Sequence, residues 1–404
     1  MDGETQSDRR AIVVVIDACG AGALPDAELY GDAGANTLAH LAGAVGGLRL
    51  PVMQELGLGS ILPLAGVAPA ARPVLHGRLH ALGPGKDSTA GHWELMGAVL
   101  EHPLPTFPQG LPAELLGRLA GAIGRELICN LPRNGIAAIE EFGGEHLRGG
   151  ALILYTSQDS VVQLAAHVDV MPVDRLYAAC EIVRAQLSGA QAVGRVIARP
   201  FAGSQAAFTR TDGRRDFALR PPENYIGELA RRGVAVHGVG KVSDLFAGDP
   251  AIARHPGASN DVALASASKL LDTVASGFLF VNLIETDQIY GHRKDVDGFH
   301  RALQGIDAEI GRWLGRLRDD DLLILTADHG VDPAHPLTDH TREHAPLLAL
   351  TGRMLDRDGR LVAGADGRRH DGPLADVGAS VLSWLTGQRV EDLPGESFLE
   401  EPRA

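Results

Sequence analysis

Three short apolar runs, each leading into acidic residues, constrain the fold of this chain most strongly. They are Ala11–Ile16 before Asp17, Phe278–Ile284 before Glu285 and Asp287, and Leu322–Thr326 before Asp328. The runs show no apolar–polar alternation, so we predict strands buried on both faces, as in a parallel sheet. Ligands collect beyond the carboxyl ends of the strands in such sheets. The acids should therefore meet at one edge.

Helical patterns lie between these runs. Within Gly298–Leu317, apolar residues recur every three or four positions, which is typical of an amphipathic helix. A further helix is predicted near Tyr225–Arg232 and a strand at Val234–His237. Alternating strands and helices predict an α/β fold with a mostly parallel sheet flanked by helices.

The middle of the chain repeats this pattern on its own. We predict strands at Ala151–Tyr155 and Gly194–Ala198, a helix at Val173–Leu187, and a charged loop over Arg210–Pro222. A chain of 404 residues exceeds the usual size of one core. We therefore expect a smaller α/β domain, residues 99–218, inserted as a cap between two parts of one core domain, residues 1–98 and 219–404.

Charge and composition exclude several classes of protein. Lys and Arg total 37 against 51 Asp and Glu, a formal charge of −14, which argues against a nucleic-acid binder. No stretch approaches the roughly 18 consecutive apolar residues of a membrane span. Three scattered cysteines suit a reducing compartment. We expect a cytoplasmic protein without membrane or nucleic-acid partners, and make no prediction of its oligomeric state.

Histidines cluster near the carboxyl-terminal acidic groups. With three aspartates they supply six candidate metal ligands, namely Asp17, Asp287, His292, Asp328, His329 and His340. Mixed carboxylate and imidazole ligands suit a divalent metal such as manganese or zinc. Two such metals about 3.5 to 4 Å apart could clamp a transferring phosphoryl group. His335 is an alternative to His340, whereas His300 and His344 are interpreted as surface or packing residues.

A hydroxyl nucleophile is expected in the segment GKDSTAGHWE, residues 85–94. Ser88 or Thr89 would stand at a helix start, where unpaired backbone N–H groups favour bound phosphate. The alternative is that either residue only caps the helix. The segment lacks the GxxxxGK[ST] spacing of a P-loop.

Long segments of the chain resemble the phosphopentomutase family of the alkaline phosphatase superfamily. The similar segments are VVVIDACGAGALPDAELYGDAGANTLAHL, GKDSTAGHWELMG, YTSQDSVVQLAAH, VGRVIARPFAG, FTRTDGRRDFAL, GVGKVSDLF, YGHRKD, TADHG and TDHTREHAPLL. Together they extend over nearly the whole chain. The resemblance implies an alkaline-phosphatase-like core with an inserted cap.

The resemblance also implies roles for individual residues. Thr89 would be the phosphorylated nucleophile. Asp17, Asp328 and His329 would hold one manganese ion, and Asp287, His292 and His340 the other, with zinc or magnesium as alternatives. The residues that would line a phosphate and sugar pocket are Ser157, Asp159, Arg195, Arg199, Arg210 and Lys241. Arginine forks suit phosphate oxygens, although Arg199 and Arg210 could instead form structural salt bridges.

The implied reaction interconverts ribose 1-phosphate and ribose 5-phosphate, and the deoxyribose pair, through a phosphothreonine and a sugar bisphosphate that also acts as activator. The chain departs from the family at Ala18, where Ser is usual, and at CNLPRNGIAAIEE, which brings Arg133 and Asn134 to a segment expected to contact substrate. These departures leave open a mutase for a different sugar phosphate. A metal-dependent phosphatase or phosphodiesterase is the alternative enzyme. A catalytically silent binding protein is disfavoured because all six candidate metal ligands are present together with the hydroxyl.

Overall fold

A computed structural model describes residues 8–157, 160–205, 207–362 and 367–399. In chain order its strands are β1 (Arg10–Ile16), β2 (Leu75–His80), β3 (Leu127–Pro132), β4 (Leu152–Thr156), β5 (Val161–His167), β6 (Arg195–Ser204), β7 (Ala207–Arg210), β8 (Arg215–Ala218), β9 (Val236–Val239), β10 (Ile252–His255), β11 (Gly277–Leu283), β12 (Asp321–Thr326), β13 (Ala345–Thr351) and β14 (Gly372–Pro373).

The α-helices are α1 (Thr37–Ala44), α2 (Pro51–Leu56), α3 (Leu58–Ile61), α4 (Ser88–Leu95), α5 (Ala113–Ile123), α6 (Gly135–Gly149), α7 (Val173–Gln186), α8 (Tyr225–Arg231), α9 (Val242–Leu245), α10 (Asn260–Thr273), α11 (Val296–Leu314) and α12 (Asp376–Thr386). Short 3-10 helices cover Ala27–Tyr30, Gly189–Gln191 and Gly352–Met354, and a π-helix covers Thr286–Gly291. None of the described helices combines the length and hydropathy needed to cross a bilayer.

Contacts along the chain define two compact units. The first joins residues up to 101 with those from 221 onward, and the second comprises residues 102–220. The first unit contains an eight-stranded sheet in the order β10-β9-β11-β1-β12-β13-β2-β14. Its strands β10, β9, β11, β1 and β12 run parallel, whereas β13 is antiparallel to both of its neighbours. The mostly parallel α/β fold predicted from the sequence is confirmed.

The central strand β1 is buried at every residue and lies between β11 and β12. All three strands follow the predicted apolar runs to within one residue at each end. At the opposite end from the acids, the Arg10 guanidinium donates to both carboxylate oxygens of Asp321, at 2.7 and 2.5 Å. Both side chains are essentially inaccessible to solvent. This buried ion pair joins the amino ends of two neighbouring strands.

The second unit contains a smaller mixed sheet in the order β3-β4-β5-β6-β7, with β8 also paired to β6. Alternate residues of β4 point to opposite faces: Leu152 and Leu154 join a core formed with α5 and α7, while Ile153 and Tyr155 join a core with α6. Helices therefore cover both faces, as the apolar runs predict.

One expectation for this unit is wrong. The charged stretch Arg210–Pro222, predicted as a loop, contains strand β8, which pairs antiparallel with β6 from Arg195↔Ala218 to Ala198↔Arg215. The strand forms despite its charge because its side chains are largely solvated or paired, as in Arg214 with Asp216. Such a strand lacks the apolar pattern on which the prediction relied.

Candidate metal centre

The carboxyl ends of three adjacent strands bring the predicted acids together. Asp17 directly follows β1, Asp328 lies two residues beyond β12, and Asp287 lies in the π-helix that follows β11. Each carboxylate is almost completely buried, at 0, 5 and 5% exposure respectively. π-Helical turns are rare and are frequent at functional sites. The sheet therefore gathers three anions where solvent cannot screen them.

Side chains at this edge form two overlapping groups of candidate ligands. In one, the ligand atoms of Asp17, Asp328 and His329 all lie within 4.8 Å of one another. In the other, the same holds for Asp287, His329 and His340. His329 Nε2 lies 3.3 Å from Asp17 Oδ1 and 3.4 Å from Asp328 Oδ2, while His340 Nε2 lies 3.5 Å from Asp287 Oδ1. The structure thus places His329 between the two groups.

His292 lies beside the second group. Its Nε2 is 3.3 Å from Asp287 Oδ1, and its ring centroid is 4.7 Å from that of His340. Its other nitrogen, Nδ1, lies 2.6 Å from the Thr338 carbonyl oxygen, which fixes the ring orientation. All six predicted ligands are therefore brought together. Their division between two ions stays a prediction, because His329 and not His292 completes the tight group around Asp287.

Two buried carboxylate oxygens show that this site fits a cation. Asp287 Oδ1 and Asp328 Oδ2 have no hydrogen-bond partner among the described residues. His92 Nδ1 lies 3.0 Å from Asp328 Oδ2, but it also lies 2.9 Å from the Ser88 carbonyl oxygen, and one imidazole N–H serves the carbonyl. Buried anions without hydrogen bonds are costly unless a positive charge compensates them. A divalent metal would provide that charge.

The protonation of His329 also shows the negative character of the site. Burial disfavours the protonated ring, but the nearby carboxylates of Asp328 and Asp17 outweigh burial and place the pKa of His329 well above its usual value. These carboxylates therefore favour a positive charge at this position. Metal and proton would compete for the same position.

Polar residues outside the predicted set hold the carboxylates in place. Asn282 Nδ2 donates to Asp17 Oδ2 at 2.8 Å, and His92 Nε2 lies 3.1 Å from the same amide nitrogen. The Ala18 N–H donates to Asp328 Oδ1, from a backbone with a left-handed φ of 63°. Asn282 was not predicted from the sequence, although a polar residue inside the apolar run FLFVNLI was a usable signal.

The hydroxyl that lies against the centre belongs to Ser88, the first residue of α4. Its Oγ donates to Asp17 Oδ1 at 3.2 Å and lies 3.1 Å from His329 Nε2. The Thr89 backbone N–H donates to the Asp87 carboxylate. Within the described part of the chain, no hydrogen bond joins the Thr89 hydroxyl to the centre. These contacts favour Ser88 over the predicted Thr89 as the reactive hydroxyl.

The start of α4 is not an open anion site. Asp87 caps the helix, and its Oδ1 accepts from both Thr89 N–H and Ala90 N–H. The expected phosphate site formed by unpaired amides is therefore wrong for these two donors.

The predicted substrate contacts are dispersed. In the second unit, Arg199 Nε donates to Gln163 Oε1 at 3.0 Å, and the Tyr155 hydroxyl donates to the same oxygen at 3.2 Å. Arg210 lies against the start of α6, since a Cβ added to Gly135 would stand 2.1 Å from Arg210 Nη2. Burial raises the pKa of Tyr155, and the charge of Arg210 only partly offsets this effect. Arg199 and Arg210 thus share one polar cluster at the start of α6.

The remaining predicted contacts lie elsewhere. Arg195 pairs with Asp216 at 3.7 Å, and Arg133 pairs with Glu141 at 3.4 Å, both at the surface. Ser157 directly follows β4, and Lys241 caps α9 in the first unit. Asp159 lies outside the described residues. The neighbouring Asn134, noted with Arg133 as a departure, caps α6 through Ile136 N–H.

Known proteins similar to this chain match it across the segments that form this centre. A family model described as "Metalloenzyme superfamily" matches residues 9–387. The phosphopentomutase of Carboxydothermus hydrogenoformans is 46% identical over 397 residues, covering 98% of this chain and 100% of the relative. The phosphopentomutase of Caldanaerobacter subterraneus subsp. tengcongensis is 45% identical over 395 residues, covering 97% and 98%. A solved phosphoglycerate mutase of Leishmania mexicana covers 97% of this chain and 98% of its own, at 14% identity and a TM-score of 0.49.

Proposed function

The chain belongs to the phosphopentomutase family of the metalloenzyme superfamily, and from this we propose that it interconverts the 1-phosphate and 5-phosphate of ribose or deoxyribose. We propose further that the phosphoryl group is carried on Ser88. This assignment rests on the position of Ser88 Oγ, which lies 3.2 Å from Asp17 Oδ1 and 3.1 Å from His329 Nε2. The enzyme is thus an isomerase that depends on a divalent metal.

Two divalent ions, manganese being the first choice and zinc or magnesium the alternatives, would neutralise charge on the phosphoryl oxygens and acidify a neighbouring hydroxyl. The residues that would hold them are Asp17, Asp287, His292, Asp328, His329 and His340. Asn282 and the Ala18 N–H keep two of these carboxylates oriented. Such hydrogen bonds around metal ligands commonly affect metal affinity by 10- to 100-fold.

The proposed reaction has two transfers that balance. First, the bond between phosphorus and Ser88 Oγ breaks, a bond from phosphorus to the free sugar hydroxyl forms, and the proton of that hydroxyl ends on Ser88 Oγ. The product is a sugar bisphosphate. The second transfer returns the other phosphoryl group to Ser88, and the proton passes from Ser88 Oγ to the sugar oxygen that is released. Added sugar bisphosphate would activate the enzyme by phosphorylating Ser88.

The arginines of the second unit are proposed to bind a phosphate of the substrate. Arg199 and Arg210 offer planar N–H forks that match phosphate oxygens. Burial lowers the pKa of Arg199, and Arg214 adds to this effect, so an anion would relieve a concentration of positive charge. Ser157, Asp159, Arg195 and Lys241 are retained as proposed substrate contacts on the strength of the family resemblance, and Arg133 because it lies in a segment expected to contact substrate.

A product assay tests the proposed activity. The protein is incubated with Mn²⁺, ribose 1-phosphate and a trace of ribose 1,5-bisphosphate, and ribose 5-phosphate is measured beside inorganic phosphate. We expect ribose 5-phosphate in large excess. Inorganic phosphate as the main product would instead identify a phosphatase.

Adjacent hydroxyls provide matched variants for the nucleophile. We expect Ser88→Ala to lower mutase turnover by at least about 10³-fold, because the phosphoryl acceptor is lost, while Thr89→Ala keeps most of the activity. Mass spectrometry of the active wild type should locate the phosphate on Ser88. Phosphate on Thr89, with an active Ser88→Ala variant, would restore the assignment made from the sequence.

A further inference from the structure

The loop before α4, residues 82–87, is held in place by contacts along its length. The Glu94 carboxylate accepts from Leu82 N–H and Gly83 N–H at 2.7 and 2.9 Å. The Tyr30 hydroxyl donates to the Pro84 carbonyl oxygen at 3.0 Å. Lys86 Nζ lies 3.1 Å from Asp32 Oδ2. The loop leads directly into Ser88, the first residue of α4, so its position affects where the proposed phosphoryl acceptor stands.

One buried side chain joins this loop to two other segments. Arg342 Nη1 donates to the carbonyl oxygens of Gly83 and Gly85 at 2.8 and 2.7 Å. Its Nε and Nη2 donate to the Asp26 carboxylate, at 3.1 and 2.9 Å. The guanidinium carbon also lies 5.0 Å from the centroid of the Tyr30 ring. Arg342 is only 4% exposed.

The backbone of Arg342 connects this arrangement to the metal centre. Arg342 is the second residue after His340, one of the proposed ligands. Its N–H donates to Asp32 Oδ2 at 2.8 Å, the same oxygen that Lys86 contacts. A displacement of the loop relative to His340 would therefore break the bonds from the Arg342 side chain and the contact of Lys86 with the carboxylate that the Arg342 N–H also bonds.

We propose that Arg342 is a positioning residue that sets the alignment of the Ser88 hydroxyl with the metal centre. The proposal rests on Ser88 as the proposed phosphoryl acceptor. A guanidinium is suited to this role because its fixed fork serves two carbonyls and a carboxylate at once. Phosphoryl transfer requires near-attack geometry, and a displacement of 1 Å can cost about 100-fold in rate.

The test compares Arg342→Lys with the wild type. A lysine ammonium cannot reach the Gly83 and Gly85 carbonyls while pairing with Asp26, so the loop should loosen. We expect kcat to fall by about 10- to 100-fold, with KM and bound metal within about twofold of the wild type. Hydrogen–deuterium exchange of peptides covering residues 82–92 should accelerate. Arg353→Lys, at an exposed ion pair with Asp320, is the matched control and should behave as wild type.

Three results would overturn the proposal: unchanged kcat, unchanged exchange of the loop, or a fall in kcat that accompanies lost metal or raised KM. Should Arg342→Lys fail to fold, Asp26→Asn keeps Arg342 but removes the negative charge with which its guanidinium pairs. It should lower kcat by about fivefold and raise loop exchange, and the absence of both effects would also refute the proposal. Hydrogen–deuterium exchange is measured without substrate, so it tests the loop contacts whether or not the protein is a mutase. A wild type without mutase activity would refute the proposed function by itself.

Discussion

At the scale of single residues, His329 connects the two ligand groups because it belongs to both. The neighbouring hydroxyls show why sequence alone could not complete the site. Ser88 and Thr89 are adjacent in α4, and consecutive helical residues point about 100° apart, so only the orientation of the helix decides which one faces Asp17. The aspartates were predictable because strand ends fix their position, whereas this hydroxyl was not.

Two nearby histidines allow the second ligand group to be tested. His340→Ala should lower the metal content from about two ions per chain toward one, since it removes a nitrogen 3.5 Å from Asp287 Oδ1. His335→Ala should retain both ions, because its Nε2 contacts the Gly31 carbonyl oxygen at 3.1 Å. Elemental analysis after gel filtration measures both variants. If only His335→Ala loses metal, then His335 is the ligand and His340 is not.

At the scale of elements, strand β3 departs from regular geometry in the segment where the chain departs from the family. Cys129 and Asn130 have left-handed φ values of 75° and 47°, and the register with β4 shifts between Cys129 and Leu131. Asn130 compensates by bonding both polar groups of Leu111: its Oδ1 accepts from the N–H at 2.8 Å, and its Nδ2 donates to the carbonyl at 2.9 Å. The apolar pattern predicted neither this bulge nor β3, because irregular backbone depends on specific side-chain bonds.

The bulge gives a stability prediction. Asn130→Ala should lower the free energy of unfolding by about 1 to 3 kcal/mol, since two hydrogen bonds disappear and alanine tolerates a left-handed φ poorly. Asn130→Gly should lose less, because glycine accepts that φ. Urea unfolding measures both, with the exposed Gln186→Ala as control. Equal stability of all four proteins would mean that the Leu111 bonds contribute nothing.

At the scale of the whole molecule, the buried pair of Arg10 and Asp321 joins segments 311 residues apart. Arg10 Nη1 also donates to the Leu271 carbonyl oxygen, so the charge contacts α10 as well. The apolar runs predicted the strands that carry these residues, but they did not predict the pair. Pairing across such a separation depends on strand order, which local patterns do not specify.

Removing one partner of the Arg10–Asp321 pair should therefore destabilise the protein strongly. Asp321→Asn should lower the free energy of unfolding by about 3 to 5 kcal/mol, because Arg10 is left buried without a counter-charge. Asp320→Asn, at the adjacent half-exposed residue, should change it by less than about 0.5 kcal/mol. Denaturant unfolding monitored by circular dichroism compares the two. A similar small loss in both variants would show that the buried pair does not stabilise the sheet.

The central position of β1 has a consequence for biosynthesis. Its partners, β11 and β12, begin at residues 277 and 321, so β1 cannot begin its pairing until more than 260 further residues are translated. At 5 to 20 residues per second this wait is roughly 10 to 50 s. An unpaired strand with six consecutive apolar residues, 11–16, is prone to intermolecular association. The nascent chain therefore exposes an apolar β-segment during much of its synthesis.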